Sequence, residues 1–145
     1  MNQKLDSYQA IDTLGKSMPE LIIKVYDGAI YNFAKAIEFY RSGNLDDGYE
    51  AMEKAKKFVV HLYTSLDKEK GGEIAENLSR LYAYIVERIN FAEATKNIGC
   101  IEESINLLNN VKEGWVQIAK DTKNKAMAPE SITASAPAKS PSISV

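Results

Sequence analysis

The chain holds one cysteine and one histidine, Cys100 and His61. A single thiol cannot close an internal disulfide, and neither residue has the spaced partners that a metal site needs. A lone thiol suits a reducing compartment. Proline is missing between Pro19 and Pro129, so nothing in that stretch forces a break in helical hydrogen bonding. No run of about 18 apolar residues occurs, so no membrane-spanning helix is expected. The opening residues Met1-Asn2-Gln3-Lys4-Leu5-Asp6 lack the apolar stretch of a secretory signal. A cytoplasmic protein without membrane insertion is the expectation. A basic field is missing too. The formal net charge is -2, and Lys123, Lys125 and Lys139 against Asp121 and Glu130 leave the body near -3. Nucleic-acid binders neutralise phosphates with surplus Lys and Arg, so no nucleic-acid partner is expected.

What is present is helical periodicity. Sustained period-two alternation is lacking and β-branched clusters are few, so strands are not expected. The spacing predicts a first helix from near Met18, capped by Ser17 with Glu20 three residues on. Pro19 fits its first turn. Ile22, Val25, Tyr26, Ala29, Phe33, Ala36, Ile37 and Tyr40 form its apolar stripe, and Ser42-Gly43 its end. Asn44 is the expected N-cap of a second helix, with Asp46 and Asp47 near its dipole's positive end. Its buried stripe is Ala51, Ala55, Phe58, Val59, Leu62 and Leu66, ending in the polar run 67–72. A third helix is expected from about Gly72 to Lys96, burying Ile74, Leu78, Leu81, Tyr82, Ile85, Ile89 and Ala92. A fourth is expected from about Cys100 to Lys120, with Ile101, Ile105, Leu108, Val111 and Trp115 inward. Four helices of roughly 20 residues joined by short loops imply an all-α, antiparallel four-helix bundle. Residues 1–16 form a short N-terminal helix or flap with Leu5, Tyr8, Ile11 and Leu14 at three-residue intervals. Residues 17–120 form the bundle. Residues 121–145, rich in Ala, Ser and Pro, are expected to be a flexible tail.

Residues that could carry chemistry are few. Phe58 stands three before His61, where a di-iron bundle needs glutamate. Cys100 at a helix start lacks a histidine partner or a resolving thiol. Gly71-Gly72 lacks the rest of a phosphate loop. Carboxylate pairs such as Asp46/Asp47 and Glu102/Glu103 read as helix-dipole partners. The expectation is no enzyme and no cofactor. More informative is the supply of eight Tyr, four Phe and one Trp. Tyr26, Tyr31 and Tyr40 sit on or beside an arc of the first helix wider than two neighbours need. A flap, another copy or a partner helix would cover the excess.

Three strings carry a resemblance. They are Leu21-Ile22-Ile23-Lys24-Val25-Tyr26-Asp27-Gly28-Ala29-Ile30, then 66–78 (LDKEKGGEIAENL), then Leu81-Tyr82-Ala83-Tyr84-Ile85 followed by Trp115. Together they closely resemble the flagellin-specific export chaperone family, FliS, over about residues 17–118. The loop Asp67 to Ala75 is the most specific part. The resemblance implies an antiparallel helical bundle that binds the C-terminal helical segment of flagellin. Such binding prevents premature polymerisation and aids delivery to a component of the flagellar type III export gate. It implies a flagellin groove that includes Ile22, Tyr26, Asp27, Gly28, Leu78, Leu81, Tyr82 and Ile85. Tyr8 and Ile11 correspond to an N-terminal flap or export-gate contact. Met18 between Ser17 and Pro19 departs from the family's usual Ser-Pro start. Gly28 serves either close helix packing or room for a client backbone. Asp27 makes a polar contact across the bundle or is solvated, and Trp115 is a core anchor or an interface residue. A different class remains open: a helical adaptor whose apolar surface is a homodimer interface. A metal-dependent enzyme stands a distant third.

Overall fold

A computed structural model describes the backbone of residues 18–127 and the side chains of residues 19–121. The expected flap with Tyr8 and Ile11, the Ser17 cap and residues 128–145 lie outside the described residues. Helix α1 spans Met18–Arg41, α2 Leu45–Thr64, α3 Lys68–Thr95 and α4 Ile98–Met127.

Local chemistry sets each boundary. At the end of α1, Gly43 adopts φ +80. Its N–H donates to Tyr40 O at 3.1 Å, and Asn44 N–H donates to Phe39 O at 2.8 Å. This pair of bonds is a Schellman motif, which needs a residue that tolerates the left-handed region. Asn44 occupies the N-cap position of α2 but makes no side-chain cap bond; its carbonyl accepts from Gly48 instead. Helix α2 stops at Thr64, ahead of the polar run, where Ser65 Oγ and N–H both donate to His61 O. Asp67 then caps the next turn by accepting from Lys70 N–H at 3.1 Å. That turn joins α3 at Gly72, whose φ +55 and ψ -133 are non-helical. A side chain rarely adopts this conformation, so the glycine has a steric reason here. Lys96 takes a left-handed φ of 59 at the end of α3. Asn97 Oδ1 accepts from Cys100 N–H at 3.1 Å, so α4 begins two residues earlier than its sequence signal. Helix α4 continues to Met127, seven residues beyond the expected end at Lys120.

The helices form a ring in which α1 packs on α2 and α4, and α3 packs on the same two neighbours. Side-chain pairs fix the antiparallel directions. Gly28 opposes Phe58 and Gly48 opposes Tyr40 between α1 and α2. Arg41 pairs with Glu102 and Asp27 with Lys112 between α1 and α4. The core between them is continuous: Tyr26, Phe33, Met52, Val59, Tyr82, Ile85, Ile89, Ile101 and Leu108 are almost completely removed from water. Burial at about 25 cal/mol per Å² of apolar surface makes this shared interior the main stabilising term. Two stripe assignments change. Leu66 lies past the end of α2 and is half-buried, and Ile74, beyond the Gly72 kink, is 38% exposed.

Candidate functional site

The sequence reading groups residues of α1 and α3, but those helices face each other diagonally. They meet only through the interior. Tyr26 and Tyr82 approach edge to face, with centroids 6.3 Å apart and planes at 67°. Their hydroxyls hydrogen-bond at 2.5 Å. Burial raises the pKa of both phenols, so each keeps its proton and one donates to the other. Trp115 also acts on the Tyr26 hydroxyl. Three aromatic residues from α1, α3 and α4 thus meet at one polar point inside an apolar core.

Helix periodicity separates the expected groove residues. Tyr26, Tyr82 and Ile85 are buried core and offer no surface to a partner in this conformation. Their side chains follow the inward stripe that makes the bundle, which is why an interior role wins. Gly28 lies in the α1–α2 seam. A Cβ there would come within 2.6 Å of the Phe58 ring, so the glycine serves close packing. Asp27 points the other way, to α4, and pairs with Lys112 at 2.5 Å while half-exposed. Ile22, Leu78 and Leu81 are partly buried at the edge of the core.

Helical spacing puts Leu78 and Leu81 on the face of α3 that meets α4. At one end the seam between these two helices is closed by a polar clasp. Tyr84 OH donates to Glu103 Oε2 at 2.6 Å, and Arg88 Nη2 donates to Cys100 Sγ at 2.7 Å. The Arg88 guanidinium also pairs with Glu103 at 3.6 Å and stacks 4.9 Å from the Phe91 ring centroid. On α3, Arg88, Tyr84, Leu81, Leu78 and Ile74 recur at steps of three or four, the spacing of one helix face. On α4, Cys100, Glu103, Leu107, Val111 and Trp115 do the same. Extending the antiparallel register from the clasp sets Leu81 level with Leu107, Leu78 with Val111, and Ile74 with Gly114–Trp115. Leu78, Leu81, Leu107, Val111 and Trp115 are all only partly buried. Among the described residues, no atom beyond the neighbouring residues and the helix's own backbone lies within 4 Å of a Cβ built on Gly114. The seam is therefore polar and clasped at the Arg88 end and apolar at the Ile74 end, where Ile74 itself is exposed.

Leu107, Val111, Gly114, Arg88 and Glu103 were absent from the sequence-level groove. Their three–four spacing was visible, but the choice of facing helix was not. Apolar residues also remain exposed elsewhere: Tyr31, facing away from the core, and Leu45, Tyr49, Val60 and Tyr63 along α2. Among the described residues, no three His, Cys, Asp or Glu side chains are grouped to hold a metal ion. No described helix is long and apolar enough to cross a membrane.

Comparison with known proteins gives this architecture a context. The family described as Flagellar protein FliS matches residues 1–122. The flagellar secretion chaperone FliS of Salmonella typhimurium is 38% identical over 107 residues, covering 73% of this chain and 79% of the relative. That of Vibrio cholerae is 26% identical over 132 residues, covering 88% and 97%. The Pseudomonas aeruginosa secretion chaperone FliSB is 40% identical over 62 residues, covering 43% of this chain and 49% of the relative. A helical bundle with an apolar seam, matched by that family over residues 1–122, places this chain in the FliS family of flagellar secretion chaperones.

Proposed function

We propose that the chain is a cytoplasmic chaperone that binds the C-terminal helical region of flagellin, holds it from premature polymerisation and delivers it toward the flagellar type III export gate. The observation that carries the reading is an apolar line on α3, Leu81, Leu78 and Ile74, which the register from the clasp sets level with Leu107, Val111 and Trp115 of α4; all are partly buried except the exposed Ile74. An amphipathic client helix presents anchors at steps of three and four residues. Covering them removes apolar surface from water at about 25 cal/mol per Å², and ordering a disordered client offsets much of that gain. Tyr26 and Tyr82 act beneath the seam by fixing α1 against α3. Ile22 continues the apolar margin on α1. Tyr8 and Ile11 are assigned by the family resemblance to a flap or export-gate contact.

The test is titration calorimetry with a peptide from the flagellin C-terminus. Saturable one-to-one binding is expected. Ile74→Asp, at an exposed position, is expected to weaken binding at least about tenfold, since each 1.4 kcal/mol is a factor of ten. No binding, together with a dimer that strengthens with concentration, would replace this reading with the homodimer adaptor.

A further inference from the structure

The α2–α3 seam, away from the apolar groove, contains a charge arrangement that the chaperone role does not use. Glu53 of α2 and Glu93 of α3 come together there around one lysine. Glu93 is the more buried, with a side chain 12% exposed. One cation serves both. Lys56 Nζ stands 3.0 Å from Glu53 Oε2 and 3.9 Å from Glu93 Oε1. Glu93 Oε2 is buried without a hydrogen-bond partner, and so is the hydroxyl of Tyr40, which reaches the same region from α1. A carboxylate accepts hydrogen bonds and cannot donate one. Two ionised carboxylates around one lysine in this partly buried seam would exceed its single positive charge, and the burial of Glu93 makes that costly. A proton held between them supplies the missing donor and brings the trio of Glu53, Glu93 and Lys56 to neutrality.

We propose that Glu53 and Glu93 share one proton in the folded chain, making the α2–α3 seam a pH-sensitive clasp that tightens below neutrality and loosens above it. The neighbours acting on this cluster are Tyr40 from α1, Tyr49, Lys56 and Lys57 from α2, and Lys96 just after α3. Burial first, and the Glu53 hydrogen bond second, push Glu93 up from 4.5 to about 7. The bond to Glu93, with Lys56 next, holds Glu53 below its usual range. The signs follow from linkage. For Glu93 the folded chain binds a proton that the unfolded chain has lost. Its contribution to stability is complete below about 4.5 and disappears as pH rises through about 7. Glu53 acts in the opposite direction, and only in more acidic solution. Because α3 packs chiefly on α2 and α4, a looser seam frees α3 on one of these two sides.

The test uses the full chain. Urea unfolding of the wild type from pH 6 to pH 8 is expected to show the Glu93 contribution to the folding equilibrium falling about tenfold, the change that linkage gives for a group titrating near 7. Glu93→Gln, whose amide supplies the donor permanently, is expected to remove that tenfold component. Comparing the two profiles cancels His61 and the terminal amine. Parallel profiles would overturn the proposal. Carbon-13 NMR of the glutamate carboxyls in the wild type gives a second readout that does not depend on a variant folding. One carboxyl titrating near neutrality supports the shared proton. All carboxyls titrating in the ordinary range near 4 would overturn it.

Discussion

Alanine at Gly28 and alanine at Gly114 are the same chemical change in two helices, and the structure assigns them opposite signs. Each replacement improves helix propensity by up to about 1 kcal/mol. At Gly114 the new methyl meets nothing within 4 Å, so the whole gain is realised. At Gly28 it would lie 2.6 Å from Cε1 and Cζ of Phe58. Ordinary carbon contacts begin near about 3.5 Å, so the ring must move by roughly 1 Å or the helices must separate. Overpacking of this kind costs about 1–3 kcal/mol. Net destabilisation of about 1 kcal/mol is expected for Gly28→Ala, against stabilisation of about 1 kcal/mol for Gly114→Ala. The difference of about 2 kcal/mol separates the two urea midpoints by about 1 M for a typical small-domain m-value. Combining Gly28→Ala with Phe58→Leu should recover most of the loss, because the two positions share one contact. Equal shifts in the same direction for both glycines, or no coupling to Phe58, would refute the packing account of the α1–α2 seam.

Three further outcomes follow from named contacts. Tyr26→Phe should destabilise more than Tyr82→Phe, within the about 1–3 kcal/mol typical of an orphaned buried partner. The Tyr26 hydroxyl serves Tyr82 and Trp115, whereas that of Tyr82 serves Tyr26; equal losses in urea unfolding would contradict this node. Gly72→Ala should lower stability by about 1–2 kcal/mol, because φ +55 places a Cβ in a disfavoured region. An unchanged thermal midpoint would show that the kink relaxes. Leu81→Ala should weaken flagellin-peptide binding more than Tyr63→Ala, since Tyr63 is exposed on α2, outside the α3–α4 seam. Calorimetry giving the reverse order would move the client to the α2 face.

The amino-acid sequence by itself determined the four described helices, most of their inward stripes and the stops of the first and third. These features rest on local rules, 3.6-residue periodicity and the left-handed tolerance of Gly43, whereas the expected Asn44 cap bond does not form and Asp67 and Asn97 supply caps instead. Gly72 was legible as a turn for the same reason, although the turn proves to be a kink entered through a capped helical turn at Asp67. Nearly all of the candidate site was out of reach. Tyr26 and Tyr82 entered the expected groove through the family resemblance, and periodicity shows that a residue lies on an apolar face without showing whether another helix covers it. Which face is covered depends on helix order around the ring and on register, and both are set by contacts between residues far apart in the chain. The Arg88–Cys100 and Tyr84–Glu103 pairs align α3 with α4 and so create the seam. The Glu53–Glu93 pair has the same origin. Each residue alone is an ordinary helical glutamate, and only the tertiary structure brings the two carboxyls together around one lysine, where burial changes the chemistry of both.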